Sequence, residues 1–217
     1  MQAPNAALAP PPPMFGEPTP LGLLGLSIGC AALVPIAFNW IPADPVKAAM
    51  MLKTAAWFCL LFGAGGQFLA GMMALANKNT LGGTLFTTFS FNWVYNWWVL
   101  DQLSTGKVPD ATVGLCVDLA FIAIFVVLTY AFGFFSKLLF AFLVDIDLLY
   151  LFRIGRHFAD PAGGLSGALG VGVGVATIGL IAIALYIAFA LLVNPAAGRP
   201  VFPFPGPLFV ARPPPAA

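Results

Sequence analysis

The sequence predicts an all-α integral membrane protein with six transmembrane helices. Of 217 residues, 60% are hydrophobic and only 8% are charged. Soluble domains carry about 25% charged residues. A helix that crosses lipid needs about 20 mostly apolar residues, and six such stretches fit between Leu21 and Val193. The joins between them are short, as at Asn77–Thr80 and Ser136–Lys137. They leave no room for a soluble domain.

Residues 1–20 contain seven prolines, including the run Pro10 to Pro13, and have no periodicity. They read as an irregular or polyproline-like arm. Met1 to Met14 contain no Lys or Arg ahead of the apolar stretch, so a secretory signal peptide is not expected. The membrane-spanning region is expected to cover residues 21–194. Its first helix covers Leu21 to Trp40, with glycines at 22, 25 and 29 that let another backbone approach closely. Pro35 is expected to kink or end it. The second helix covers Ala48 to Ala76, the third Leu81 to Leu100, the fourth Ala111 to Phe135, the fifth Leu138 to Ile154 and the sixth Leu165 to Val193. Glycines and Ser166 at four-residue spacing between 163 and 174 mark tight packing of the sixth helix. Residues 195–217 form a second proline-rich segment.

A formal charge of +1 without a basic cluster argues against nucleic acid as a partner. Cys30, Cys59 and Cys116 fall in three different spans. They form no disulfide framework and read as small apolar packing groups. The single histidine, His157, has no second histidine with which to share a metal. No metal site or other cofactor is expected. There is no nucleophile–base pair and no phosphate-cradling loop, so catalysis is not expected either.

The third helix is the most unusual. Thr84, Thr88, Asn92 and Asn96 recur every fourth residue, as along one helix face, amid a crowd of Phe, Tyr and Trp side chains. Unpaired polar groups are costly in lipid. The stripe therefore either bonds to neighbouring helices or forms a pore wall for a small polar solute. Gln67 in the second helix is a further polar group near mid-membrane. Asp118, Asp145 and Asp147 are acids within spans, each of which must face a cavity or a partner. Positions 145 and 147 are about 200° apart on a helix, so they cannot both face one pore. Asp145, Leu149 and Arg153 share a face. Either the acids pair with Lys53, Lys137 or Arg153, or one of them, Asp118 or Asp145, binds a proton beside the solute path.

The string Pro18-Thr19-Pro20-Leu21-Gly22-Leu23 resembles the opening signature of the acetate uptake transporters, also called succinate–acetate permeases. Further resemblances follow in order. They are Gln67 through Ala70-Gly71 to Asn79-Thr80 and Gly82, then Phe86-Thr87-Thr88-Phe89 before Trp93, then Phe142, Leu149 and Ile154-Gly155, and last Gly198-Arg199 with Val201 and Pro203. The resemblance implies a six-helix subunit, assembly as a ring-shaped homohexamer, a multi-pass place in the cell (inner) membrane with cytoplasmic termini, and passage of small carboxylates. It puts the pore constriction at Leu26, Phe89 and Asp145, where the family places apolar or aromatic groups and has tyrosine at the Phe89 position. Together with the polar stripe it puts the solute path along Glu17, Pro18, Pro20, Gln67, Asn79, Thr84, Thr88 and Asn92. The chain departs from the family at Glu17, where asparagine is usual, and in its intramembrane acids.

The functional expectation is a passive or proton-linked channel for acetate and related monocarboxylates. Glu17 and the acids would disfavour an anion, which leaves a channel for urea, an amide or ammonia as the alternative. The proline-rich ends leave a third, an accessory subunit of a larger membrane complex. The Lys and Arg of the loops divide four against five between the two sides, so charge bias sets no orientation.

Overall fold

The computed structural model describes residues 12–161 and 163–210. The polyproline-like reading of residues 1–11 and the end of the C-terminal segment, 211–217, lie outside the described residues. Every regular element among the described residues is helical. Helix α1 is Thr19–Ala37, α2 Pro45–Phe58, α3 Gln67–Ala76, α4 Thr80–Ser104, α5 Ala111–Phe132, α6 Lys137–Phe158 and α7 Gly164–Ala197. A π-helical segment, Cys59–Gly66, joins α2 to α3, so these pieces form six rods.

Capping residues set the short joins. Asp44 accepts from the amides of Val46 and Lys47 at 2.9 and 3.2 Å, with Pro45 at the first helical position. Asn79 caps α4 through the Gly82 amide at 2.9 Å, and Asp110 caps α5 through the Val113 amide at 2.9 Å. Each cap satisfies a donor that the helix itself leaves free. Pro35 lies in the last turn of α1, which ends at Ala37. The chain then turns through Asn39 with φ 55°.

Six antiparallel rods put the start of α1, the α3–α4 turn, the α5–α6 turn and the end of α7 at one end of the bundle, here the arm end. The α4–α5 and α6–α7 loops lie at the other, the loop end. Helix α1 packs against α7 and the π segment, α6 packs against both α5 and α7, and α4 packs against α2, the π segment and α3. Gly25 meets the π segment backbone to backbone. A Cβ there would lie 2.5 Å from the Phe62 carbonyl oxygen and 3.2 Å from the Gly66 Cα. The glycines read from sequence as permitting close approach are used in that way.

Four of the six rods are long and apolar enough to cross a membrane: Thr19–Ala37, Pro45–Ala76, Ala111–Phe132 and Gly164–Ala197. The other two, α4 and α6, carry the polar stripe and the Asp145–Asp147–Arg153 group. Large apolar side chains such as Leu61, Leu69, Val126 and Val127 cover the outside of the bundle. Cys30 and Cys59 are buried in packing positions, whereas Cys116 is exposed on the outer face of α5. The packing role read from sequence therefore does not extend to Cys116.

The C-terminal segment is fastened to the bundle. The Asn194 side chain donates to the Phe202 carbonyl at 2.8 Å and accepts from the amides of Val201 and Phe202 at 2.9 Å each. Tyr186 donates to the Pro203 carbonyl at 2.9 Å, and Ser136 to the Pro205 carbonyl at 3.0 Å. Phe209 then sits among the rings of Tyr130, Phe134 and Phe140. The N-terminal arm is tied at the same end, where Asn77 bonds to the amide and carbonyl of Phe15 at 2.9 Å each.

Candidate functional site

Three cavities follow one another along the bundle, and α4 and α6 line all three. At the arm end, about 100 Å³ lies between Thr19 and Leu23 of α1, Asn79 to Phe86, Phe132, and Leu139 and Phe142 of α6. In mid-bundle a chamber of about 40 Å³ is lined by Cys30, Asn92, Trp93, Asn96, Tyr150 and Arg153 among others. That is room for about three waters. At the loop end a cleft of about 560 Å³ includes Asn96, Asp110, Asp118, Arg153, Arg156 and His157. Asn96 and Arg153 line both the chamber and the cleft, so the two adjoin.

Between the arm-end cavity and the chamber the bundle is closed by apolar side chains. Leu26 is fully buried, and Phe89 is 6% exposed. Phe89 meets Phe125 edge to face at 5.2 Å, and Phe125 lies 5.4 Å from the Tyr150 ring. On α6 the side chains flanking this level are Phe142, which lines the arm-end cavity, and Ile146, which lines the chamber. Asp145, expected here, is placed elsewhere. Its Oδ2 lies against α7, where a Cβ on Gly179 would come within 2.6 Å of it. Asp145 lies about 100° round α6 from Ile146, set against α7 and outside the residues that line the chamber.

The polar stripe of α4 divides. Asn92 is buried and lines the chamber, as does Asn96, while Thr88 is half-buried and Thr84 exposed, and neither lines a cavity. Residues four apart advance about 400° on an α-helix, so Thr84 has drifted about 120° from Asn96. The stripe therefore does not keep one face over its length. The cavity-facing line of α4 instead runs through Gly82, Leu85, Phe86, Phe89, Asn92, Trp93 and Asn96.

The remaining candidates lie toward the arm end. Asn79 lines the cavity there and caps α4, and Pro18 and Pro20 are buried at the start of α1. Glu17 is exposed, with its carboxylate accepting from the Thr19 amide at 3.0 Å and from the Thr19 hydroxyl. Gln67 is 1% exposed, and its Oε1 has no partner among the described residues.

Asp118 and Asp147 find partners that spacing along one helix could not reveal, whereas Asp145 Oδ2 has no hydrogen-bond partner among the described residues. Asp118 of α5 pairs with Arg153 of α6 at 2.9 Å, and its other oxygen lies 3.9 Å from Nε2 of His157. Arg153 thus pairs across helices with Asp118 rather than along its own helix with Asp145. Asp147 accepts a bond from Thr129 of α5 at 2.7 Å. Three chamber residues hold buried polar atoms without partners among the described residues: Asn92 Oδ1, Trp93 Nε1 and Tyr150 OH. The Arg153 guanidinium lies 5.3 Å from the centre of the Tyr150 ring. Sequence reading missed Trp93, Tyr150 and Phe125 as site residues. The 146–149–150–153 spacing on the fifth helix was the available signal for its inner face.

No family model matches the chain, and no curated protein does. The solved structure of the bacterial acetate channel SatP is similar to it, with a TM-score of 0.73 and 20% identity, over 88% of this chain and 99% of that one. The chain therefore shares the fold of that solved structure. The resemblance noted in the sequence is met at the level of architecture.

Proposed function

We propose that the chain forms a membrane channel for acetate and related small monocarboxylates, either passive or proton-linked. The observation that carries this reading is the fold shared with an acetate channel over nearly the whole chain. The chamber adds chemical support. A carboxylate only accepts hydrogen bonds, whereas Trp Nε1–H, Tyr O–H and guanidinium groups donate them. Leu26 and Phe89, with Phe125, form the narrow point of the path. Assembly as a ring of copies, a cell-membrane location and cytoplasmic termini belong to the same proposal and rest on the resemblance.

Glu17 and Asp118 favour a second reading, a channel for a neutral solute such as urea or an amide. Support for an accessory role is weaker, since residues 201–209 of the proline-rich segment bind the chain's own bundle. Uptake of radiolabelled acetate, succinate and urea into proteoliposomes at two pH values separates the readings. Acetate influx above that of protein-free liposomes is expected. Urea influx without acetate influx would overturn the carboxylate assignment.

A further inference from the structure

The chamber contains a chemical mismatch. Tyr150 is 1% and Trp93 2% exposed, both line a cavity of about 40 Å³, and each holds a polar atom without a partner among the described residues. Buried polar atoms are nearly always hydrogen-bonded, so such orphans call for an explanation. Asn92, 4% exposed, adds a carboxamide that presents a donor after a half-turn. Among the described residues lining the chamber, Arg153 is the only cation and there is no acid. Its Nη2 binds one oxygen of Asp118, which leaves further guanidinium donors for a second carboxylate.

We propose that Arg153, Tyr150, Trp93 and Asn92 form the binding site for the solute carboxylate, and that Asp118 is the resident anion with which the solute competes. The inference rests on the carboxylate-channel reading and names the site that reading requires. Arg153 lines the cleft and the chamber together, so a carboxylate arriving through the cleft meets the guanidinium before it reaches the aromatic closure. His157, 3.9 Å from the second Asp118 oxygen, and Arg156 in the same cleft lie beside the acid. The solute offers two acceptor oxygens and no donor, which matches the orphaned N–H and O–H groups. A neutral amide carries its own N–H groups and matches them less well.

The test is calorimetric titration of acetate and acetamide into the purified full-length protein, run beside proteoliposome uptake. The variants are Asp118→Asn, Tyr150→Phe and the charge-neutral double change Asp118→Asn with Arg153→Gln. The double variant avoids stranding a buried charge, and monodispersity on size exclusion reports folding. Asp118→Asn should tighten acetate binding, because the competing anion is gone. The double change should weaken it about tenfold or more relative to that single variant, the scale of a lost charged hydrogen bond. Tyr150→Phe should weaken it less, and acetamide should respond to none of the three. A structural role alone would not tighten acetate binding in Asp118→Asn and then lose that gain on Arg153→Gln. Acetate affinity in the double variant equal to that of Asp118→Asn, or parallel changes for acetamide, overturns the site. If wild-type protein passes acetate but its affinity ignores these changes, the channel reading stands and the site falls. If it binds acetate through Arg153 yet passes none, the site stands and the channel reading falls. Absence of both binding and passage removes both.

Discussion

On the proposed reading, Phe89 sets the width of the solute path. It lies between the arm-end cavity and the chamber, edge-on to Phe125 at 5.2 Å and 6.0 Å from the Trp93 ring. Replacing Phe89 with Ala should raise lactate uptake relative to acetate several-fold, measured in proteoliposomes. Removing a buried ring costs about 3–5 kcal/mol, so Phe89→Leu serves as the milder variant, with a smaller change in the same direction. A folded Phe89→Ala protein with unaltered preference among acetate, lactate and succinate would move the gate elsewhere. Leu26 and Phe89 were legible in the sequence because a motif carried them. Asp145 came from an ungapped count along the fifth helix, where an offset of one residue turns a side chain through about 100°.

At the scale of elements, helix existence and order were legible, since length and apolar character decide what can span a membrane. The π segment at Cys59–Gly66 was not. Its glycines carry no side chain that favours one helical winding, and it exists where α1 and α4 press on both sides of the rod. From sequence the C-terminal segment is legible only as a proline-rich stretch, and the structure shows Tyr186 and Ser136 using the carbonyl oxygens of its prolines as acceptors. Asn194→Ala removes three hydrogen bonds to that segment, each worth about 1 kcal/mol. Chymotrypsin cleavage after Phe209, which is followed by Val210, should then quicken several-fold in solubilised protein while the helical core stays intact. An unchanged cleavage rate would mean that Phe209 and its aromatic pocket hold the segment unaided.

Across the whole molecule, the two rods with too little apolar character to count as spans by themselves, α4 and α6, both line the arm-end cavity, the chamber and the loop-end cleft. Asn92 of α4 and Asp118, the partner of Arg153 of α6, are buried, whereas Thr84 of α4 is exposed. Cysteines placed singly at Asn96, Asn92, Thr88 and Thr84, with Cys30, Cys59 and Cys116 replaced, test this arrangement in native membranes. A small water-soluble thiol reagent applied to the loop-end side should label position 96 fastest and 92 more slowly, with 84 and 88 silent. Equal labelling at all four positions would restore a straight polar stripe and contradict the drift across the face of α4.

The amino-acid sequence by itself determined that the chain is a helical membrane bundle of six rods, because charge content and apolar length admit no other packing with lipid. It also located the glycine contacts of α1 and the aromatic residue of the closure, both of which local spacing can express. Only the tertiary structure decided which polar side chains meet. The Asp118–Arg153 pair, the Thr129–Asp147 bond and the orphaned donors of Trp93 and Tyr150 join residues on different helices. Their meeting depends on the rotation and height of each rod, and no periodicity within one helix encodes those two quantities.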